Sequence, residues 1–512
     1  MKTVGYTLSG CTQDLFIFVV LETEIVKVDN YYFLRHPINS LEVLLRVYRI
    51  QPYNPEMTMG RTGPLAGKKG RQAQYGKRLE YKVAFGEVLG YYDEDRKWRS
   101  LEVAPGAWDE IFEPTEEELR KFFMPEETAA EMHFLEIGKV RGTNIPIYID
   151  LNAIAKAHLL VAGMTRAGKS SFLINLVAAS TRLTPRPRFI IFDRRGEYGA
   201  LTRYGAKIMP YSNFVPPIRS SEVVAEKLGV KRDEKTIVLV ACDELLSEGK
   251  IITRNCLIEK ARQVGSSIIK KEETCSETMN FLEKVIEKRG GFLENQTVPW
   301  NIVEVIRNSS ITVINFSLDG DIEAQQFAAR EILRRITSYA MKRKDAGDFA
   351  AIIAIEEAQY LAPEKGLEIE DSAAQKDVRR KMIEAVSQAG GYNVGFLIMT
   401  QRPAYVLKSV ISQCNTVACF RLKSGNDQDA ILQYTEYGSE RLRDYLPGLA
   451  DHEAILWGTA IPTPFPVIGE IKVEEYPRKA AVLAKQAWQR MEKPRKEVKK
   501  LNVEENVNPP II

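Results

Sequence analysis

The amino-acid sequence predicts an α/β fold with a parallel sheet, a phosphate-binding loop and a helical insertion, preceded by a small β-barrel domain. Three observations support this prediction. Short runs rich in Val, Tyr, Phe and Leu dominate residues 1–125, and from about Leu135 buried strand-like runs alternate with helices. One Gly-rich stretch, GMTRAGKS at 163–170, lies between a strand and a helix.

The composition is that of an ordinary globular chain. The 512 residues are 45% hydrophobic and 27% charged, and 71 basic against 68 acidic residues leave a net charge of +3. A chain of this length can hold several domains. The near-neutral charge excludes a histone-like polycation, and the composition excludes a disordered or collagen-like chain. The six cysteines lack CxxC spacing and the four histidines are dispersed, which argues against a zinc ribbon or a disulfide framework.

The pattern of the first 125 residues favours a small β-barrel or sandwich, and the barrel is the fold that we predict. Strand-like runs at 15–26, 31–35, 41–49, 79–91 and 100–104 are separated by Pro, Gly and Asn. Residues 61–78 are Gly-rich and basic, and either a solvated hairpin tip or a contact with a phosphate backbone would suit them. Thr115, followed by three glutamates, predicts the start of a linking helix.

Residues 126–475 are expected to form the α/β core. Strands are predicted at 157–162, 189–192, 236–241, 311–316, 351–355, 394–399 and 416–422, and a helix at 172–180. Apolar residues at helical spacing predict a helical insertion at about 244–307, and residues 476–512 are expected to form a basic C-terminal extension.

Neither a membrane helix nor a secretory signal is predicted. No apolar run approaches the ~18 residues that span a bilayer, and the first residues lack the basic, apolar and small-residue regions of a signal peptide. We therefore expect a cytoplasmic protein without an integral membrane segment.

The stretch from Gly163 to Ser170 fits G-x-x-x-x-G-K-[ST] and predicts a site for ATP and Mg²⁺. Its glycines let backbone N–H groups surround phosphates, Lys169 reaches the β- and γ-phosphates, and the Ser170 hydroxyl holds the metal. The predicted nucleotide-binding residues of this loop are Gly163, Thr165, Arg166, Ala167, Gly168, Lys169, Ser170 and Ser171.

Two later strands end in polar residues suited to hydrolysis. Glu356 and Glu357 follow the predicted strand 351–355, and we assign Glu356 to the metal and Glu357 to the general base that polarises water. Gln401 follows the strand 394–399 and is expected to contact the γ-phosphate or the attacking water.

These stretches resemble the HerA/FtsK superfamily of DNA-pumping ATPases, and the HerA helicases in particular. The resemblance covers most of residues 135–471 and implies a RecA-like core, a homohexameric ring on double-stranded DNA, ATP at subunit interfaces and a NurA-type nuclease partner. It rests on GMTRAGKSS (163–171), IIFDRRGEY (190–198), IIAIEEAQYLAP (352–363) and the block from Val394 through TQRPAYV to QCNTVACFRLKSGNDQ (413–428).

The resemblance also implies further site residues. Asp193 and Glu197 would position metal or water beside the loop, with helix capping as the alternative for Asp193. An arginine from a neighbouring subunit would complete the site, but the chain has SQAGG at 387–391 where HerA proteins have an Arg-Glu-Gly-Arg-like segment. Arg380 and Arg421 are the candidates, and solvated surface arginines are an equally open interpretation.

The leading functional hypothesis is an ATP-driven hexameric translocase or helicase on duplex DNA, acting in DNA-end processing or repair. The alternative is a secretion or conjugation ATPase that moves protein or nucleoprotein at a membrane. A scaffold without turnover is disfavoured because Lys169, Ser170 and Glu357 are all present.

Overall fold

The computed structural model describes residues 1–55, 80–124, 133–215, 221–248, 251–294, 299–317, 322–364, 373–434 and 442–473. The basic stretch predicted at 61–78 and the extension predicted at 476–512 lie outside these residues.

The N-terminal strands form a closed antiparallel barrel, as predicted. Six of them follow the order β2-β1-β7-β3-β4-β5, and pairing of β2 with β5 closes the barrel, while the short β6 extends from β5. The strands are β1 (Lys2–Thr7), β2 (Leu15–Val20), β3 (Tyr31–Arg35), β4 (Glu42–Tyr53), β5 (Tyr81–Tyr92), β6 (Trp98–Arg99) and β7 (Glu110–Glu113).

Alternating burial explains these strands. In β2, Phe16, Phe18 and Val20 point into the barrel core while the residues between them are more exposed, which is the period of two that a one-sided strand requires. The strand predicted at 100–104 is wrong. Leu101 fills the barrel core from an irregular segment, so its burial does not reflect sheet pairing.

A short helix and a buried arginine connect the barrel with the core. The helix α1 (Glu116–Arg120) begins as predicted at Thr115, whose side chain accepts from the Glu118 N–H while the Glu118 carboxylate accepts from the Thr115 N–H. The guanidinium of Arg46 is fully buried, donates to Glu87 at 2.6 Å and donates to the Pro466 carbonyl of the core at 3.0 Å.

The remaining elements belong to the α/β core. Its strands are β8 (Phe134–Val140), β9 (Pro146–Asp150), β10 (Leu159–Ala162), β11 (Phe189–Asp193), β12 (Lys207–Pro210), β13 (Ile311–Asn315), β14 (Ala351–Ile355), β15 (Val394–Thr400), β16 (Thr416–Phe420), β17 (Glu453–Gly458) and β18 (Val467–Ile471). Its helices are α2 (Leu151–Ala157), α3 (Lys169–Ser180), α4 (Ser221–Leu228), α5 (Arg232–Ser247), α6 (Arg254–Ile268), α7 (Glu272–Arg289), α8 (Ile302–Asn308), α9 (Ile322–Lys342), α10 (Ala373–Ala389), α11 (Lys408–Ile411), α12 (Gly425–Tyr434) and α13 (Leu442–Tyr445).

The core strands form one mixed sheet in the order β12-β13-β11-β14-β15-β10-β16-β17-β18-β8-β9. Pairing is parallel from β12 to β16 and antiparallel from β16 to β9. The parallel strands β10, β11, β14 and β15 are buried along their whole length, as expected of strands with helices on both faces. The predicted α/β fold with a parallel sheet is confirmed.

Between β12 and β13 the described chain is helical, and one predicted strand there is wrong. Residues 236–241 lie inside α5, where Ile237, Val238, Ala241 and Leu245 form one buried face. Packing of this face against α4 and α6 outweighs the strand preference of the β-branched residues. Among the described helices, none combines the length and the apolar character needed to cross a membrane.

We expect Gly395→Ala to destabilise the core. A Cβ atom at Gly395 in β15 would lie 2.6 Å from the Ala155 Cα atom of α2, so the helix would have to move away from the sheet. The midpoint of urea unfolding should fall by an amount equivalent to about 1–3 kcal/mol. The matched control is Gly391→Ala, where nothing lies within 4 Å of the added Cβ. Equal midpoints for the two variants would contradict this account of the packing.

Candidate nucleotide-hydrolysis site

The phosphate-binding loop connects β10 to α3 and is fixed from both sides. Its Gly163 N–H donates to the Thr400 carbonyl of β15 at 3.3 Å, and its Met164 N–H donates to the Arg421 carbonyl after β16 at 2.9 Å. Gly168 has φ +124°, and a Cβ atom there would lie 3.2 Å from the His452 Cα atom, so this position favours glycine. The loop therefore has a defined shape before any ligand binds.

Lys169 is folded over this loop. Its side-chain ammonium donates to the carbonyls of Gly163 at 2.6 Å and Met164 at 3.0 Å, and the residue is 8% exposed. The pKa of Lys169 is lowered to about 8, chiefly by burial and in part by the positive charge of Arg195, against the opposing effect of Glu357. An anion placed at the loop would stabilise the charged ammonium.

The other predicted loop residues divide into exposed and buried positions. Thr165 donates from its hydroxyl to the Gln401 Oε1 atom at 2.5 Å, and Ser170 donates from its hydroxyl to the Glu197 Oε2 atom at 2.7 Å. Arg166 is exposed at the tip of the loop with φ +65°. The remaining two, Ala167 and Ser171, are buried.

Asp193, at the end of β11, organises the segment that follows it. Its Oδ1 atom accepts from the backbone N–H groups of Arg195 at 3.2 Å, Gly196 at 2.7 Å and Glu197 at 3.2 Å. Its Oδ2 atom accepts from the Tyr198 N–H at 3.2 Å. Burial raises the pKa of Asp193, although these four N–H groups oppose the shift. The contacts are those of a capping residue, and a role in positioning metal or water stays a prediction.

Glu356 accepts hydrogen bonds from the backbone of the same segment. Its Oε2 atom lies 3.1 Å from the Arg194 nitrogen and 3.3 Å from the Arg195 nitrogen. Burial, followed by the negative charges of Asp193 and Glu197, raises the pKa of Glu356 to about 8. A cation bound at these acids would favour the ionised form of Glu356.

Glu357 lies at the centre of a polar network. Its backbone is left-handed, with φ +51°, and its side chain is 5% exposed and pairs with the Arg195 guanidinium at 2.5 Å. Gln359 donates to the Glu357 Oε2 atom at 2.7 Å, and the Gln401 amide donates to the Oε1 atom. Gln401 therefore connects the carboxylate of Glu357 with the hydroxyl of Thr165.

The two candidate arginines lie in different surroundings. Arg421 contacts the phosphate-binding loop of its own chain, because its Nε atom lies 3.4 Å from the Met164 sulfur, and it pairs with Asp451 at 2.6 Å. The side chain of Arg380 on α10 is 81% exposed and pairs with Asp377 at 3.2 Å. A role in a neighbouring subunit's site stays a prediction for both.

Arg195 and Gln359 were missed by the sequence analysis although they belong to the Glu357 network. Both lie inside stretches already singled out, Arg195 between Asp193 and Glu197 and Gln359 two residues after Glu357. Their places in these stretches could have marked them as candidate site residues. Their contacts, however, depend on how β11, β14 and β15 are brought together.

The oxygen donors at the site suit Mg²⁺. Hard divalent cations bind hydroxyl and carboxylate oxygens, and Mg²⁺ uses few protein ligands because it keeps several waters. Ser170 supplies a hydroxyl beside the carboxylate of Glu197, and Glu356 supplies a second carboxylate. Within the described ranges, no group of three or more His, Cys, Asp or Glu side chains forms a self-contained metal site.

The fold and the site together define a P-loop nucleotide-hydrolysing enzyme, since a loop of this shape opens a helix beside two carboxylates from a parallel strand. Residues 135–336 match the family described as "Helicase HerA, central domain". The resemblance to HerA helicases that the sequence motifs indicated is confirmed by this match and by the sequence relatives.

The sequence relatives agree with this family. The DNA double-strand break repair helicase HerA of Sulfurisphaera tokodaii is 24% identical over 412 residues, covering 76% of this chain and 77% of that protein. The helicase of the same name from Pyrococcus furiosus is 23% identical and covers 63% of this chain and 66% of its own length. A probable helicase of Methanocaldococcus jannaschii is 25% identical and covers 67% and 71%.

The solved structures that the chain resembles are more distant in sequence. VirB4 of Thermoanaerobacter pseudethanolicus is 13% identical, with a TM-score of 0.41 over 67% of this chain and 97% of VirB4. The plasmid coupling protein TrwB, in complex with a non-hydrolysable GTP analogue, is 13% identical, with a TM-score of 0.43 over 72% of this chain and 94% of TrwB. The resemblance to HerA helicases rests on the family match and the sequence relatives.

We expect Glu357→Gln to bind ATP and to stall. The amide keeps the shape of the side chain but cannot accept a proton from water, so turnover should fall about 10²–10⁴-fold while ATP remains bound. Steady-state hydrolysis and nucleotide retention on the purified protein measure the two effects. The control is Glu287→Gln on the exposed face of α7, which should hydrolyse ATP at the unmodified rate. A stalled Glu356→Gln together with an active Glu357→Gln would reverse the assigned roles.

Proposed function

We propose that the chain is an ATP-driven translocase or helicase that moves along duplex DNA as a homohexamer. The observation that supports it best is the hydrogen-bonded path from Thr165 through Gln401 to Glu357. This path joins the phosphate-binding loop to the proposed base and to the end of β15, so a change at the phosphates can reach a neighbouring strand. Such a connection is what coupling of hydrolysis to movement requires.

In this proposal the chain's own side chains perform hydrolysis. Lys169 holds the β- and γ-phosphates, Glu357 accepts a proton from the attacking water, and Gln401 orients that water. Ser170 and Glu356 would hold Mg²⁺, which neutralises charge on the phosphates when it is bound. The left-handed backbone at Glu357 directs its carboxylate towards Gln401 and Arg195.

We propose DNA as the substrate because the HerA relatives are named DNA double-strand break repair helicases. The net charge of +3 is compatible with this substrate, because a ring requires a basic surface only where DNA passes. From the resemblance to HerA helicases we further propose a role in DNA-end processing in the cytoplasm, with a NurA-type nuclease as partner. The conjugation or secretion ATPase remains the alternative hypothesis.

Duplex DNA should stimulate ATP hydrolysis by the full chain. Engagement of DNA would favour the conformation in which Glu357 and Gln401 are aligned, so the turnover number should rise several-fold when linear duplex is added. Hydrolysis is measured with and without DNA, and Lys169→Ala should be inactive in both conditions. A rate that duplex DNA leaves unchanged, in a preparation that hydrolyses ATP, would contradict the proposed substrate and favour the alternative.

An arginine acting in a neighbouring subunit's site should be revealed by mixing variants. Such an arginine changes rates by about 10³–10⁵ in other P-loop enzymes. Subunits carrying Lys169→Ala are co-assembled with subunits carrying Arg421→Ala, and separately with subunits carrying Arg380→Ala. Partial recovery of hydrolysis in one mixture identifies that arginine. Recovery in neither, with co-assembly demonstrated, would exclude both arginines as the trans-acting group.

A further inference from the structure

Arg195 has a fixed backbone beside the proposed base. Its N–H is shared between the carboxylates of Asp193 at 3.2 Å and Glu356 at 3.3 Å. Asp193 ends β11 and Glu356 directly follows the neighbouring strand β14, so the position of Arg195 is set by the sheet. The side chain therefore starts from a defined point at the same sheet edge as the phosphate-binding loop.

The side chain of Arg195 is less restrained than its backbone. Its guanidinium pairs with Glu357 at 2.5 Å but is 42% exposed, whereas Glu357 is 5% exposed. The adjacent Arg194 differs, because its guanidinium stacks at 3.7 Å on the Tyr360 ring and donates to Gln325 at 3.0 Å. Arg195 is thus the arginine of this segment whose charged end contacts the base and faces solvent.

Arg195 also lies close to where phosphates are expected. Its guanidinium pairs with Glu357, whose carboxylate accepts from the Gln401 amide. Gln401 in turn accepts from the hydroxyl of Thr165 in the phosphate-binding loop. A guanidinium has five N–H donors in a planar fork and binds carboxylates and phosphates alike.

We propose that Arg195 is a positioning residue whose guanidinium is shared between Glu357 and the terminal phosphate of a bound nucleoside triphosphate. Without nucleotide it holds Glu357 in an ion pair and keeps that carboxylate from water. With a triphosphate bound, the guanidinium moves towards the γ-phosphate, and Glu357 keeps its contacts with Gln359 and Gln401 and becomes able to accept a proton. The inference rests on the proposed nucleotide site.

Glu357 and the γ-phosphate compete for the guanidinium of Arg195, and this competition should affect nucleotide binding even without hydrolysis. A diphosphate lacks the γ-phosphate and leaves the Arg195–Glu357 pair intact. Arg195→Gln should therefore weaken binding of the β,γ-imido analogue of ATP about tenfold, the loss of one hydrogen-bonded charged contact, and change binding of ADP less than about twofold. Arg195→Lys keeps the charge without the fork and should give an intermediate loss.

The second step of the test is a double-mutant cycle with Glu357→Gln. This substitution frees Arg195 from its carboxylate, so it should strengthen binding of the imido analogue about threefold when Arg195 is present. In the Arg195→Gln background it should have no effect, because there is no guanidinium to release. Titration calorimetry on the full chain with Mg²⁺ measures each affinity, and none of these values requires turnover.

Two controls make the outcomes distinguishable. Arg203→Gln changes an exposed arginine of the same segment and should leave both affinities unaltered, and Lys169→Ala should lose both nucleotides. Equal weakening of ADP and the analogue by Arg195→Gln would overturn the inference. So would strengthening by Glu357→Gln that persists without Arg195, since it would reflect direct repulsion between Glu357 and the phosphate. Failure of the unmodified chain to bind either nucleotide would instead overturn the nucleotide site itself.

Discussion

The parallel register of β10, β11, β14 and β15 is the constraint on which the site depends. Ala162 pairs with Thr400, and Ile355 pairs with both Phe192 and Ile398, so these strands end at one edge of the sheet. Parallel sheets place ligands at this edge because the loops after the strands diverge there. The loop after β10, the segment after β11 and the acids after β14 meet for this reason, although they are far apart in sequence.

Crowding of acids at this edge explains the electrostatics of the site. Asp193 and Glu356 are buried, and burial raises the pKa of both. Backbone N–H groups of residues 195–198 oppose part of this effect at Asp193 by hydrogen bonding to its carboxylate. Those of Arg194 and Arg195 donate to Glu356. The same hydrogen bonds hold that segment against the sheet. They therefore stabilise the buried carboxylates and also fix the backbone on which Arg195 lies.

Much of the fold was predictable because its signals are local. The buried runs at 189–192 and 351–355 are apolar and short, and the G-x-x-x-x-G-K-[ST] pattern allows few alternatives to a strand–loop–helix. The strand predicted at 236–241 was wrong because β-branched residues there form one face of a helix, which only its packing partners determine. The β8–β9 and β17–β18 hairpins were not predicted. The Arg195–Glu357 pair was missed because it depends on the order of strands in the sheet.

The strand order also affects how the chain folds during translation. β10 pairs on one side with β15 and on the other with β16, and both are synthesised long after it. During translation the apolar strand before the phosphate-binding loop has neither of its neighbours, and non-local pairings of this kind form slowly. The loop that receives phosphates is thus among the first parts of the core to leave the ribosome and among the last to acquire its final shape. A nascent chain halted before residue 394 would contain the entire loop motif without either of the strands that hold it.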